Sequence, residues 1–173
     1  KFVDQSFQKA AALSPEFTYQ KIAKDNYSFN DYYVAKFRGL QIATVNNQLE
    51  ANNNQWTSFK SKLDTSQPAI FFSHIPLRTQ KWWELKQGQL LIDFMKRFPN
   101  VKHYAGHNHV YEYENIMDTG VPSYVAPYLH SQETATLSGQ YHQSGFLAVL
   151  VSPIQGVLET KVINYDYSRI TGC

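Results

Sequence analysis

Three histidines stand out as residues able to do chemistry together: His74, His107 and His109. His107 and His109 flank one residue in Gly106-His107-Asn108-His109. On an extended chain they share a face, because side chains repeat every two residues. Gly106 beside them lets backbone come close to a metal or a phosphate. Neutral imidazole suits Zn, Mn, Fe or Ni. His103, two residues before Ala105, reads as a structural histidine inside a strand. Arg78, His130 and His142 are candidate substrate contacts: a guanidinium suits phosphate oxygens, and the two histidines flank a polar stretch, 131–144, able to rim a cleft. Tyr104 and Tyr128 are further candidates for a phosphate or leaving-group contact. Trp82-Trp83 reads as packing or as a lid.

The elements that must position these groups follow from pattern. Ala69-Ile70-Phe71-Phe72 is a continuous apolar run, expected as a buried strand that ends just before His74. Leu91, Phe94, Met95 and Phe98 recur at helical spacing, which predicts a helix over 86–98, closed by Pro99-Asn100. Val101 to Ala105 is then a short strand leading into the histidine pair. Two parallel strands joined by a helix bring His74, His107 and His109 to one carboxyl edge, where ligands gather in open α/β sheets.

Upstream, 1–25 read as helical, with Ser14-Pro15 as a second helix start. Tyr27-Ser28-Phe29 is strand-like. Residues 32–45 read as two strands joined tightly, with Arg38-Gly39 as the turn. Asn54 is placed to cap a helix whose stripe is Trp56, Phe59, Lys60 and Leu63. Downstream, Val110–Glu114, Val121–Tyr128, Phe146–Val151 and Val157–Tyr165 read as strands, with a turn at Asp118-Thr119-Gly120. The order predicts an α/β fold, a sheet covered by helices. Its antiparallel tail needs a second sheet to bury the other face.

Phe71-Phe72-Ser73-His74, followed by Ile75-Pro76-Leu77, resembles the stretch of calcineurin-like metallophosphoesterases in which a strand ends in a metal-binding histidine. Gly106-His107-Asn108-His109 is similar to that family's final Gly-His-Xaa-His motif. Tyr27-Ser28-Phe29, the strand ending at Asn46, Gln55-Trp56, Val121–Val125 and Gly145-Phe146-Leu147 also fit, so the resemblance covers nearly the whole chain. It covers only the C-terminal half of the family's domain. Asp-Xaa-His, Gly-Asp-Xaa-Xaa-Asp and Gly-Asn-His-Asp/Glu do not occur in these residues.

The resemblance implies half of an α-β-β-α sandwich, with mixed and antiparallel strands covered by helices. It implies a metal-dependent phosphoesterase acting on phosphomonoesters or phosphodiesters at a two-metal site. His74 and His107 would bind one divalent ion (Mn, Fe or Zn) and His109 the other. The general-acid histidine is expected upstream, in a missing N-terminal half of the same domain. Three imidazoles cannot hold two divalent ions without carboxylates, so the chain is expected to be inactive alone.

Bulk properties bound the alternatives. The 173 residues read as one domain, 1–173, with 43% hydrophobic side chains for a core. A net charge of +2 gives no field for nucleic acid. The longest apolar run, Phe146–Val151, is far short of the ~20 residues that span a bilayer. The one cysteine, Cys173, excludes an internal disulfide and leaves the compartment open. The start at Lys1 is read as implying sequence upstream. The rival reading is a non-catalytic β-rich binding or interaction module whose histidines hold a structural metal.

Overall fold

A computed structural model describes residues 2–22, 32–45, 54–74, 77, 85–106, 112–114, 120–126 and 145–164. Along these the order is α1 (Phe2–Leu13), β1 (Phe17–Ile22), β2 (Tyr32–Phe37), β3 (Leu40–Thr44), α2 (Asn54–Ser61), β4 (Ala69–Ser73), α3 (Leu85–Met95), β5 (Lys102–Ala105), β6 (Glu112–Glu114), β7 (Ser123–Val125), β8 (Gly145–Ser152) and β9 (Gly156–Asn164). The fold is mixed α/β. A seven-stranded sheet runs β1-β2-β3-β4-β5-β7-β6, and β8-β9 form a two-stranded antiparallel sheet of their own.

The β2–β3 hairpin forms where the sequence predicts it. Arg38 and Gly39 take φ of 49° and 92°, and a two-residue turn with positive φ at both positions matches the twist of the strands it joins. The N-terminal expectation needs correction. Among the described residues of this stretch, 2–13 are helical, and Phe17–Ile22 is a strand rather than part of a second helix. Its aromatic and β-branched residues alternate in burial along most of its length and pair antiparallel with β2. Sheet pairing overrides the Ser-Pro helix signal, and Pro15 lies in the connecting turn.

The centre of the sheet is parallel. Ile42 pairs with Ile70, Phe71 with His103, and Tyr104 with Tyr124, so β3, β4, β5 and β7 all run the same way. One face carries Val34, Ala43, Ala69, Phe71, Val101 and Val121, packed under Trp56 and Phe59 of α2 and Leu91, Phe94 and Met95 of α3. Aromatic rings dominate this core. Phe94 meets Trp56 edge-on at 5.3 Å and Phe98 at 5.1 Å, geometries favoured by the ring quadrupole. The buried Gln41 amide clamps the segment after α2: it donates to Asp64 O at 2.8 Å and accepts from Asp64 N at 2.7 Å.

The other face carries Leu40, Ile70 and Tyr104, covered by Val157 of β9 with Leu147 of β8 against them. At the β1–β2 end Phe7 of α1 packs on Phe17, Tyr19 and Tyr33. Of the strands expected as an antiparallel tail, β8 and β9 form the second sheet, whereas β7 pairs parallel with β5 and, with β6, joins the main sheet. Phe72 departs from expectation: the predicted strand was wholly buried, but Phe72 is 40% exposed. It points to the hairpin side, which β8–β9 cover only in part. Among the described residues, no helix is long and apolar enough to cross a membrane.

Candidate functional site

Parallel pairing fixes where chemistry can gather. The carboxyl ends of β3, β4, β5 and β7 lie along one edge, since Thr44 pairs with Phe72, Ser73 with Ala105, and Ala105 with Val125. The ladder continues past the strand ends. Val45 N donates to Phe72 O at 2.8 Å, Gly106 N to His74 O at 3.1 Å, and Ala126 N to Ala105 O at 2.8 Å.

His74 is therefore held at the edge by its own carbonyl, bonded directly to the glycine that opens Gly106-His107-Asn108-His109. Its side chain is exposed. A Cβ added to Gly106 would lie 3.8 Å from His74 O and 4.0 Å from His74 Nδ1. Those are ordinary contact distances, so packing does not demand glycine here. The missing side chain instead leaves open the space beside the His74 ring.

His107 and His109 lie outside the described residues, as do Arg78, His130, His142, Tyr128 and the Trp82-Trp83 pair. Of the expected metal trio the structure thus describes His74 and the residue preceding His107. Among the described residues, no three His, Cys, Asp or Glu side chains stand close enough to hold an ion.

Tyr104 is corrected. It is 4% exposed and buried between the two sheets rather than lining the edge. Its ring stacks on Phe72 at 5.6 Å and Tyr124 at 5.3 Å, and its hydroxyl bonds Thr160 Oγ1 at 2.7 Å. Burial raises its pKa, with the Thr160 bond opposing.

A polar bridge lies one step below the edge. His103 is fully buried on the helix-covered face, as its structural reading required. Its Nε2 lies 2.8 Å from Ser73 Oγ and its Nδ1 2.7 Å from Ser123 Oγ. A neutral imidazole has one donor and one acceptor nitrogen, so two serines satisfy it. Burial disfavours the cation and lowers the pKa to about 3. This ties β4, β5 and β7 together beside Ser73, the neighbour of His74. Sequence reasoning missed the serines. The available signal was their placement: Ser73 and Ser123 occupy inward positions flanking an inward histidine.

The chain matches no protein-family model and no curated protein.

Proposed function

We propose that this chain is the histidine-bearing C-terminal part of a calcineurin-like metallophosphoesterase domain, hydrolysing phosphomonoesters or phosphodiesters. One observation carries the reading. His74 and Gly106 are joined by a hydrogen bond at the carboxyl ends of neighbouring parallel strands, so the two separate histidine motifs start from adjacent points of one edge. That is the juxtaposition a shared metal site requires, and the edge is where open α/β sheets collect ligands.

The donor chemistry fits such a site in part. His74 would hold one divalent ion with His107, and His109 a second. Imidazoles suit Mn, Fe or Zn, but a dinuclear centre also needs carboxylates to offset its charge, and these would come from another segment of the domain. When bound, the two ions acidify water and brace the oxygens of the phosphate ester. The chain's own contribution is position. The Gly106–His74 backbone bond fixes the His74 main chain, and the His103 bridge holds Ser73 from beneath. Arg78, His130 and His142 are the proposed substrate contacts, and the α-β-β-α sandwich is the proposed complete architecture, of which the two packed sheets are the part described.

Co-expression with a polypeptide carrying Asp-Xaa-His, Gly-Asp-Xaa-Xaa-Asp and Gly-Asn-His-Asp tests this. Mn-dependent hydrolysis of p-nitrophenyl phosphate should appear in the complex, and His107→Ala should abolish it. Activity that survives His107→Ala would overturn the metal assignment.

A further inference from the structure

A cavity of about 230 Å³ opens on the helix-covered side of the sheet, far from His74. Thr18, Tyr19, Gln20, Val34, Lys36 and Lys62 line it. Thr18 pairs with Lys36 and Gln20 with Val34, so these four side chains rise from one face of the β1–β2 ribbon. Val34, which is 3% exposed, forms the floor. Lys62 arrives from a different element, just past the end of α2. The β2–β3 turn beside this cavity lies where β3 begins, whereas His74 follows the end of β4. The two places are at opposite ends of the sheet.

Lysines from two separate elements thus line one concavity, and among the described residues no carboxylate lines it. Like charges brought together repel, and an anion between them removes that cost. The neutral acceptors at the end of α2 already hold hydrogen bonds: Ser58 O accepts from Ser61 Oγ, Phe59 O from Lys62 N, and Lys60 O from Leu63 N. Lys36 helps to hold Asp64 ionised, so part of its charge is offset there, and Asp64 Oδ1 also accepts from Ser66 N and Ser66 Oγ. The Thr18 hydroxyl and Gln20 amide add neutral donors at the rim.

We propose that this cavity binds a small phosphate-class oxyanion, free or carried on a small organic molecule, between Lys36 and Lys62. Two point cations match a dianion, and lysine binds phosphate as a point charge. The site is independent of the histidine edge and of any activity there.

The test is an amide NMR titration of the metal-free chain at constant ionic strength, with inorganic phosphate and glycerol 3-phosphate in separate arms and chloride as the control. Saturable shifts at Thr18, Gln20, Lys36 and Lys62 are expected. Lys36→Gln and Lys62→Gln should each weaken binding about ten-fold, as loss of a charged hydrogen bond does, while Lys9→Gln on α1 leaves it unchanged. Tighter binding of glycerol 3-phosphate supports an ester ligand, and equal or tighter binding of inorganic phosphate supports the free anion. Shifts that do not saturate and match chloride would overturn the proposal. So would an unchanged affinity in the double variant, or shifts confined to Ser73 and Gly106.

Discussion

At the scale of single residues, His103 has the clearest measurable consequence. Its pKa is near 3 in the folded chain against 6.5 for a free histidine, and the cause is burial. Above pH 6.5 both states are neutral at this position, and its contribution to stability is flat. As pH falls below 6.5 the unfolded chain takes up a proton that the folded chain refuses, so stability is lost. The slope approaches about 1.4 kcal/mol per pH unit and persists until the folded imidazole itself titrates. Other carboxylates and histidines titrate in the same window, so the informative quantity is a difference. His103→Leu should be less stable at neutral pH, because the buried Ser123 hydroxyl loses its partner at about 1–3 kcal/mol, with a smaller cost at the part-buried Ser73. The gap to wild type should then shrink as pH falls. Urea unfolding across this range checks it, and parallel curves would show that His103 is protonated without cost. Gly106→Ala separates folding from function. Its Cβ would make ordinary contacts only, so stability should change by less than about 0.5 kcal/mol. Hydrolysis by the reconstituted domain should fall, because the methyl fills the space beside the His74 ring. A large loss of stability would mean that the glycine serves the fold.

At the scale of elements, the question is what holds the β8–β9 hairpin on the sheet. Tyr104 anchors its middle through Thr160, and Asn100 anchors its tip by donating to Gln155 O at 3.0 Å. Gly156 permits the tip to approach. Its φ is +81°, and a Cβ there would lie 2.9 Å from Pro68 Cβ and 3.3 Å from Asn100 O. Gly39 has a similar backbone at +92°, but a Cβ there meets nothing nearer than 3.6 Å. Gly39→Ala should therefore cost only the left-handed conformation, about 1–2 kcal/mol. Gly156→Ala should cost that amount and the clash as well, and should loosen the hairpin. Denaturant unfolding of the two variants gives the ordering, and equal losses would refute the close-approach argument.

The same elements mark what was legible in the sequence. Gly39 announced the hairpin, because glycine accepts the positive φ that a two-residue turn requires, whereas Arg38 takes the same region without favouring it. Trp56, Phe59, Leu91, Phe94 and Met95 announced the helix-covered core by their spacing. β1 was misread because a local Ser-Pro signal competes with pairing that only the folded sheet supplies. The exposure of Phe72 was hidden because it depends on how far β8–β9 reach, a property no strand carries alone. The edge at His74 could be anticipated from parallel topology. The serines that hold His103 could not, because 30 and 20 residues separate them from it in the chain.

At the scale of the whole molecule, electrostatics decides what this polypeptide does alone. The proposed metal set consists of three neutral imidazoles, which leave the double charge of any bound ion uncompensated. Each ion needs four or more ligands, and a dinuclear site draws carboxylates into that set. Among the described residues, no three acidic, histidine or cysteine side chains stand close enough together to hold an ion. A well-folded chain and a weak metal site are therefore compatible, because the core under α2 and α3 does not depend on the edge. Metal affinity should also rise with pH, since a protonated imidazole is no ligand and each histidine must lose its proton before it can bind. After dialysis against Mn or Zn at neutral pH, elemental analysis should find well under one ion per chain, with negligible hydrolysis of p-nitrophenyl phosphate. Adding a segment that supplies the carboxylates should raise both together. Two tightly held ions per chain, without such a segment, would show that the histidines and their immediate neighbours already form a complete site.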